Sequence, residues 1–529
     1  MLKKIFSFKT NIITSSAFIL GASILISRIL GIFRDRLLAS EFGAGDALDI
    51  YYASFQIPDF IYNLIVAGIF SAAFLPIFVD YWLKDKNEAW RLTNIVINVL
   101  AGILIIVSLI LSLLAPVIMP VFFPGFSAQK IQAVVKLSRI MFLSPFFLGL
   151  SAILSAVLHS LKKFLVYGLA PIFYNAGIII GIVFFFPLFG LSGLAWGVVL
   201  GAFLHFFIQA PVLFRAGFKP KLIFNFQDHG LKKIVLLTIP RSLTLAANQI
   251  NLLFIAAFAS TLSAGSLAVF NFAHNLQSIP IGLFGLSFAL SAFPDLAALS
   301  SKEAKEEFHK YLFDVILKIF FFVIPISVLI FVFRAQIVRV VLGAGEFGWR
   351  ETRLVAASLG VLSLSVFAQS LLTLLARAFY ALKDSLTPFL ARIVAVIVNI
   401  LLTFIFFRFF KEKAFLNFLS SLLKLNSLPD IGIVLLALAF AIGEIAGIVF
   451  LWIMFSKKYG HFHPDYIFPI FKILLVSLAA GGLGWLALRP LNLIFDTTRF
   501  WGIFFQTFFA ASIAIIFYLI FTRKENPLL

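Results

Sequence analysis

Arginines stand at positions 28 and 34, near the end of an apolar run that begins at Asn11, and Asp35 and Arg36 follow at once. A guanidinium is permanently charged and grips phosphate or carboxylate oxygens in pairs, so an arginine inside hydrocarbon marks an anion site or a buried ion pair. The plainer reading is a helix-end arginine whose head snorkels to the membrane interface. Asp49 either caps the helix that follows it or pairs with such an arginine across a gate. Arg241, beside Pro240 in a later apolar run, offers the same choice between an inward cation and an interfacial one. His274, Asn275, Asn271 and Gln277 form a polar patch in another apolar stretch, where such side chains either line a path or hydrogen-bond helices together. Arg392 and Glu444 lie inside late apolar runs and suit a buried pair or an ion relay.

Other chemistry has no residues to carry it. The chain has no cysteine, which excludes disulfides, thiolate metal sites and a catalytic thiol. Its 7 histidines are never spaced as ligands, and no glycine-rich phosphate loop or Ser/His/Asp set is present, so neither a metal nor a cofactor is expected. An ATP-driven pump would need its ATPase on a separate subunit. A membrane-embedded glycosyl or phosphoryl transferase would need paired acids or an acidic metal motif at the membrane surface, and none is evident. The net charge of +19 is scattered through short connectors rather than gathered in a basic domain with interleaved aromatics, which argues against nucleic acid.

The elements that position these residues are membrane helices. With 62% hydrophobic residues, 12% charged and a mean hydropathy of +1.08, the chain cannot supply a soluble domain of ordinary size. Counting runs of roughly twenty apolar residues gives about fourteen spans, from 11–33 to 500–521. The second (47–80) and eighth (266–298) contain Pro58 and Pro280, which should kink or break them. The first lacks a small-residue cleavage site and reads as a retained helix. An even count puts both termini on one side. Connectors on that side, including Lys84, Lys162, Lys163, Lys232, Lys233, Lys302, Lys305, Lys457 and Lys458, carry the larger share of Lys and Arg, so it is expected to be cytoplasmic. The polar insert from Arg408 to Asp430 is the sizeable loop of the other side.

The chain also repeats itself. Gly43-Ala44-Gly45 and Ile57-Pro58, followed by Gly68 and Phe70-Ser71-Ala72-Ala73, recur as Ser263-Ala264-Gly265 and Ile279-Pro280, followed by Gly285 and Ser291-Ala292. The offset of about 220 residues equals six spans, so the halves share one orientation about an axis along the membrane normal. The expected organisation is a six-helix bundle over 1–215, a second over 216–457, and two added helices over 458–529.

The stretch Ser27-Arg28-Ile29-Leu30-Gly31-Ile32-Phe33-Arg34-Asp35, followed by Phe42-Gly43-Ala44-Gly45 and Asp49, resembles the signature of the MurJ family of lipid II flippases. Pro171 with Asn175 and Gly181, Gln249-Ile250-Asn251, and Ala378-Phe379-Tyr380-Ala381-Leu382-Lys383-Asp384 with Thr387-Pro388 extend the likeness over the full length. The resemblance implies the multidrug/oligosaccharidyl-lipid/polysaccharide exporter fold: two six-helix bundles around a cationic cavity, with the last two helices forming a groove for a lipid tail. It implies a transporter in the bacterial plasma membrane, working by alternating access on a polyprenyl-diphosphate-linked cell-wall precursor, with cell-wall synthesis proteins as candidate partners. By this resemblance Arg28, Arg34 and Arg241, with Asn63, His274 and Asn275, are the candidate substrate-binding residues, and Ser27, Gly31 and Asp49 the candidate gate.

The chain departs from the family at several of these positions. Asp59, Tyr62 and Asn63 stand where many members carry an arginine, Ala67 replaces an acid, and Asn275 and Ser278 replace an arginine and an acid. Arg241, at the repeat-equivalent place of Arg28, could supply part of the missing charge. Ile255 replaces an acidic residue of a proposed sodium site, although Asn399 and Thr403 are kept; a hard cation usually needs a carboxylate, which counts against sodium there. The lost arginines keep a flippase for another polyprenyl-diphosphate-linked saccharide as the alternative. A cation-coupled exporter of small molecules is the more distant one, because it needs membrane carboxylates that are scarce here.

Overall fold

The computed structural model describes residues 12–67, 74–302, 304–409, 420–421, 423, 425, 431–460 and 467–525. Among them the regular structure is helical, with no strand. Hydrocarbon offers no partner to backbone N–H and C=O groups, so an apolar chain of this kind must satisfy them within each segment. Ten helices among the described residues are long and apolar enough to cross a membrane, and the pair Trp349–Ser363 and Val366–Ala381, bent by 44°, makes an eleventh when counted as one broken span. The first and seventh expected spans run through residues whose side chains lie outside the described set. The first helix, Ile12–Phe42, carries the Arg34-Asp35-Arg36 run. The expected second span is divided into Asp46–Ile61, a π-helical stretch Tyr62–Ala67, and Leu75–Lys84. Residues 68–73, and most of the insert from Arg408 to Asp430, lie outside the described residues.

Packing divides the chain into two units, 1–38 with 46–257, and 39–45 with 258–529. The repeat read from the sequence returns as backbone geometry in each. Pro58 is followed by the π-helical stretch Tyr62–Ala67, and Pro280 by Ile281–Leu286. Proline removes one helical hydrogen bond and clashes with the carbonyl four residues back; a π turn re-registers the ladder around that defect. A second echo lies in the turns. Lys162 (φ 59°) and Lys383 (φ 62°), the non-glycine residues with positive φ among those described, each follow a leucine at repeat-equivalent positions.

In the first unit, Phe164–Ile180 and Leu191–Phe207 cross at glycines. Methyl groups at Gly177 or Gly181 would overlap the backbone of Gly201 or Gly197. Such crossings gain their stability from close backbone contact, since apolar side chains gain little by leaving lipid. In the second unit, Ile467–Ile494 and Phe500–Phe521 pack beside Lys305–Val332, sharing a core with Phe313 and Phe321. The Tyr518 hydroxyl donates to the Phe321 carbonyl at 2.8 Å.

The sequence left Arg392 and Glu444 as either a structural pair or a relay. They meet: Arg392 Nη1 donates to both Glu444 carboxylate oxygens at 2.9 and 2.8 Å, and Glu444 is 1% exposed. This pair joins Leu386–Phe409 to Gly432–Tyr459. Removing one member of a buried pair strands a charge and costs roughly 3–5 kcal/mol, whereas replacing both with apolar groups is often neutral. Glu444→Leu should therefore lower the thermal unfolding midpoint in detergent substantially, and adding Arg392→Leu should recover most of the loss. Equal midpoints for Glu444→Leu and the parent would contradict this.

The segment 39–45 packs within the second unit. The Glu346 N–H donates to the Ser40 carbonyl at 2.9 Å. Gly265 (φ 86°) lies so close to Ala44 that a β-carbon would overlap the Ala44 carbonyl oxygen. The two repeat-equivalent Gly-containing loops thus meet each other.

Candidate functional site

The polar residues of the first helix separate into two faces. Ser27, Gly31 and Arg34 follow the i, i+4, i+7 spacing of one stripe. That stripe faces Asn175 on Phe164–Ile180. Asn175 Nδ2 donates to the Pro171 carbonyl at 3.1 Å and lies 3.4 Å from both the carbonyl and the hydroxyl of Ser27. Its Oδ1 accepts from Arg34 Nη1 at 3.2 Å. Arg34 also donates through Nε and Nη2 to Asp35 Oδ1, at 3.0 and 2.7 Å. The Arg34 guanidinium is thus oriented from two sides, with 22% of its side chain exposed. Gly31 is not a tight crossing, since an added methyl would approach only Asn175 Oδ1, at 3.9 Å.

Arg28 is placed differently. Six residues from Arg34 is about 120° round the helix, which takes it off the Asn175 stripe. It is exposed and makes no hydrogen bond or ion pair among the described residues. The two arginines therefore do not act alike. One is held by protein oxygens, and the other is a cation whose five N–H donors have no partner among the described residues.

Asp49 is 2% exposed in the first turn of Asp46–Ile61, where neighbouring Asp46 forms an ion pair with Lys130. Asn63 lies on the π-helical stretch and donates to the Asp59 carbonyl at 2.9 Å; Gln249 Nε2 reaches the same oxygen at 3.3 Å. Asn63 thus serves the backbone where the family carries a cation. Arg241 falls on the helix His229–Ser260, and its side chain lies outside the described residues.

On the second unit, His274 lies between two rings, stacked on Phe270 with centroids 5.7 Å apart and edge-on to Phe440 at 5.7 Å. Asn275 is half-buried, and its carbonyl accepts from the Ser278 hydroxyl at 2.7 Å. Asn271 bonds its own helix at the Leu267 carbonyl, 2.8 Å away. Gln277 is fully buried, and its amide atoms have no partner among the described residues. Asn399 and Thr403 are buried on Leu386–Phe409. No group of three or more His, Asp or Glu residues among those described could hold a metal ion. Asn175, which the sequence offered as part of the family likeness and not as a site residue, organises the face of Ser27 and Arg34. Its presence beside Pro171 in an apolar span was the available signal.

The family model described as lipid II flippase MurJ matches residues 38–509, a stretch that begins after Arg28 and Arg34. A probable lipid II flippase MurJ of Buchnera aphidicola (subsp. Acyrthosiphon pisum) is 31% identical over 73% of this chain and 76% of its own length. The lipid II flippase MurJ of Burkholderia cenocepacia is 27% identical over 88% of both chains. Among solved structures, an inward closed conformation of lipid II flippase MurJ superposes with a TM-score of 0.75 at 25% identity, covering 96% of this chain and 99% of that one. An inward-facing multidrug resistance MATE family transporter of the MOP superfamily shares the fold, with a TM-score of 0.65 at 16% identity over 83% of this chain and 98% of that one.

Proposed function

Because the chain belongs to the lipid II flippase MurJ family, we propose that it moves lipid II, the lipid-linked peptidoglycan precursor, from the inner to the outer leaflet of the bacterial plasma membrane by alternating access. The observation that carries this reading is Arg28, an exposed guanidinium with no partner among the described residues, on a helix that is otherwise apolar around it. A pyrophosphate with a large polar head cannot enter bare hydrocarbon without losing its hydration, a loss of many kcal/mol. A transporter must replace that hydration with donors while the polyprenyl tail stays in lipid. Arg28 supplies planar, permanent donors, and Arg34, already oriented by Asp35 and Asn175, supplies a second cation six residues on. Arg241 is the third cation of this reading, and Asp49, Ser27 and Gly31 its gate. The same proposal keeps the division 1–215, 216–457 and 458–529, the last part holding the tail.

The test is complementation of a bacterium depleted of its own lipid II flippase. Expression of this chain should restore growth. Failure at normal membrane levels would overturn the reading, and rescue of a strain lacking another polyprenyl-diphosphate saccharide flippase would establish the alternative that Asn63 and Asn275 suggest. We also propose that both termini are cytoplasmic, from the connector charge bias. Reporters fused after Lys233 and after Arg523 should both read as cytoplasmic, and a periplasmic signal from either would contradict this.

A further inference from the structure

The Ala378–Asp384 motif with Thr387-Pro388 takes no part in the substrate reading, yet it builds a defined local structure. Lys383 turns the chain in the left-handed region, and Asp384 Oδ1 accepts from the Thr387 N–H at 2.9 Å. Asp384 Oδ2 accepts from the Thr387 hydroxyl and from Lys458 Nζ, both at 2.7 Å. Burial opposes ionisation of Asp384, but the bonds from Lys458 and from the Thr387 hydroxyl and amide hold its carboxyl below the usual range. Lys458 is therefore fixed by a carboxylate that stays charged at neutral pH. It donates to Asp384 Oδ2 and, also at 2.7 Å, to Thr387 Oγ1, which leaves a third N–H. The repeat-equivalent turn in the first unit has Lys163 where Asp384 stands, so that turn lacks the carboxylate that holds the lysine here.

Beside the clamp is a cavity of about 430 Å³, lined by Ser300, Lys305, Phe308, Leu382, Lys458 and Tyr459 among others. Lys305 is exposed and has no partner among the described residues. Ala304, the residue before the helix Lys305–Val332, lines the same cavity and offers no side-chain cap to the first-turn N–H groups. The volume falls in the range of small-molecule sites and exceeds what a bare phosphate fills. Two lysines from different elements, a hydroxyl, and an apolar wall with two aromatic rings define the complementary ligand.

We propose that this cavity is a second binding site, for a phosphate-bearing anion whose phosphate meets Lys305 and Lys458 and whose attached group rests on Phe308, Leu382 and Tyr459. A phospholipid headgroup and a free pyrophosphate present the same chemistry. The site does not depend on what the chain transports.

Because the chain has no cysteine, a single Ser301→Cys carries an environment-sensitive fluorophore beside the cavity of the full-length protein in detergent. The probes are inorganic pyrophosphate, dihexanoyl phosphatidylglycerol and dihexanoylglycerol, which lacks phosphate, at matched ionic strength. A saturable response to at least one phosphate probe is expected, none to dihexanoylglycerol, and Lys305→Gln should weaken the response about tenfold, as for loss of one charge-assisted contact. Saturation by pyrophosphate alone assigns a soluble ligand, and saturation by the phospholipid alone assigns a headgroup. No saturation by either, an equal response to dihexanoylglycerol, or unchanged affinity in Lys305→Gln would overturn the proposal.

Discussion

Arg28→Ala should abolish rescue of a flippase-depleted strain while the protein still reaches the membrane at the parent level. Arg28 has no partner among the described residues, so its removal strands no counter-charge and leaves the packing alone. The loss would then report contact with substrate. A hydrogen bond to a charged group contributes about 1.5–3 kcal/mol, which is roughly 10- to 150-fold in binding, before the barrier for carrying the pyrophosphate through hydrocarbon is considered. Arg28→Lys keeps the charge but loses the planar fork, and should rescue only in part. Arg34→Ala differs in kind, because it leaves the buried carboxylate of Asp35 without its guanidinium and frees Asn175, so its defect should include lowered stability. Growth equal to the parent with Arg28→Ala would remove this residue from the mechanism.

Gly265→Ala should disrupt the meeting of the two repeat-equivalent loops. Gly265 occupies the left-handed region at φ 86°, and a methyl there would overlap the Ala44 carbonyl oxygen. The left-handed backbone alone costs an L-residue about 1–2 kcal/mol, and relieving the overlap requires the backbone of residues 44–45 to move. Ala44→Cys, the sole cysteine of such a variant, measures that movement by its rate of labelling with a membrane-impermeant maleimide. The rate should rise at least about tenfold when Gly265→Ala is added. Transport should fall with it. Equal labelling rates with and without the methyl would show that the loops do not meet in the working protein.

The sequence made the helical class, the repeat and its proline positions legible because each is local: apolar runs of bilayer length, and dipeptides recurring at one offset. What the prolines do to the backbone was not legible. A π-helical stretch follows each of them, so the α-helix of the expected span 47–80 gives way at Tyr62. The resemblance offered both Arg28 and Arg34 as substrate contacts. Their difference rests on Asn175, 141 residues from Arg34, and on the 120° or so between them round the helix. Asn63 looked like a weakened substrate contact, yet its amide serves the Asp59 carbonyl beside a π turn, a need that no pattern of residue types displays. Lys458 and Asp384 were read separately, as a topology charge and as part of a motif; only folding brings residues 74 positions apart into one clamp.

The central claim is movement of lipid II across the bilayer, and its most direct measure is the fraction of lipid II in spheroplasts that an externally added, membrane-impermeant hydrolase can cleave. In cells depleted of their own flippase that fraction is low. Expression of this chain should return it to near the level of undepleted cells, and Arg28→Ala should leave it at the depleted level. A cleaved fraction that stays low while the unaltered chain is present in the membrane at normal amounts would contradict the account.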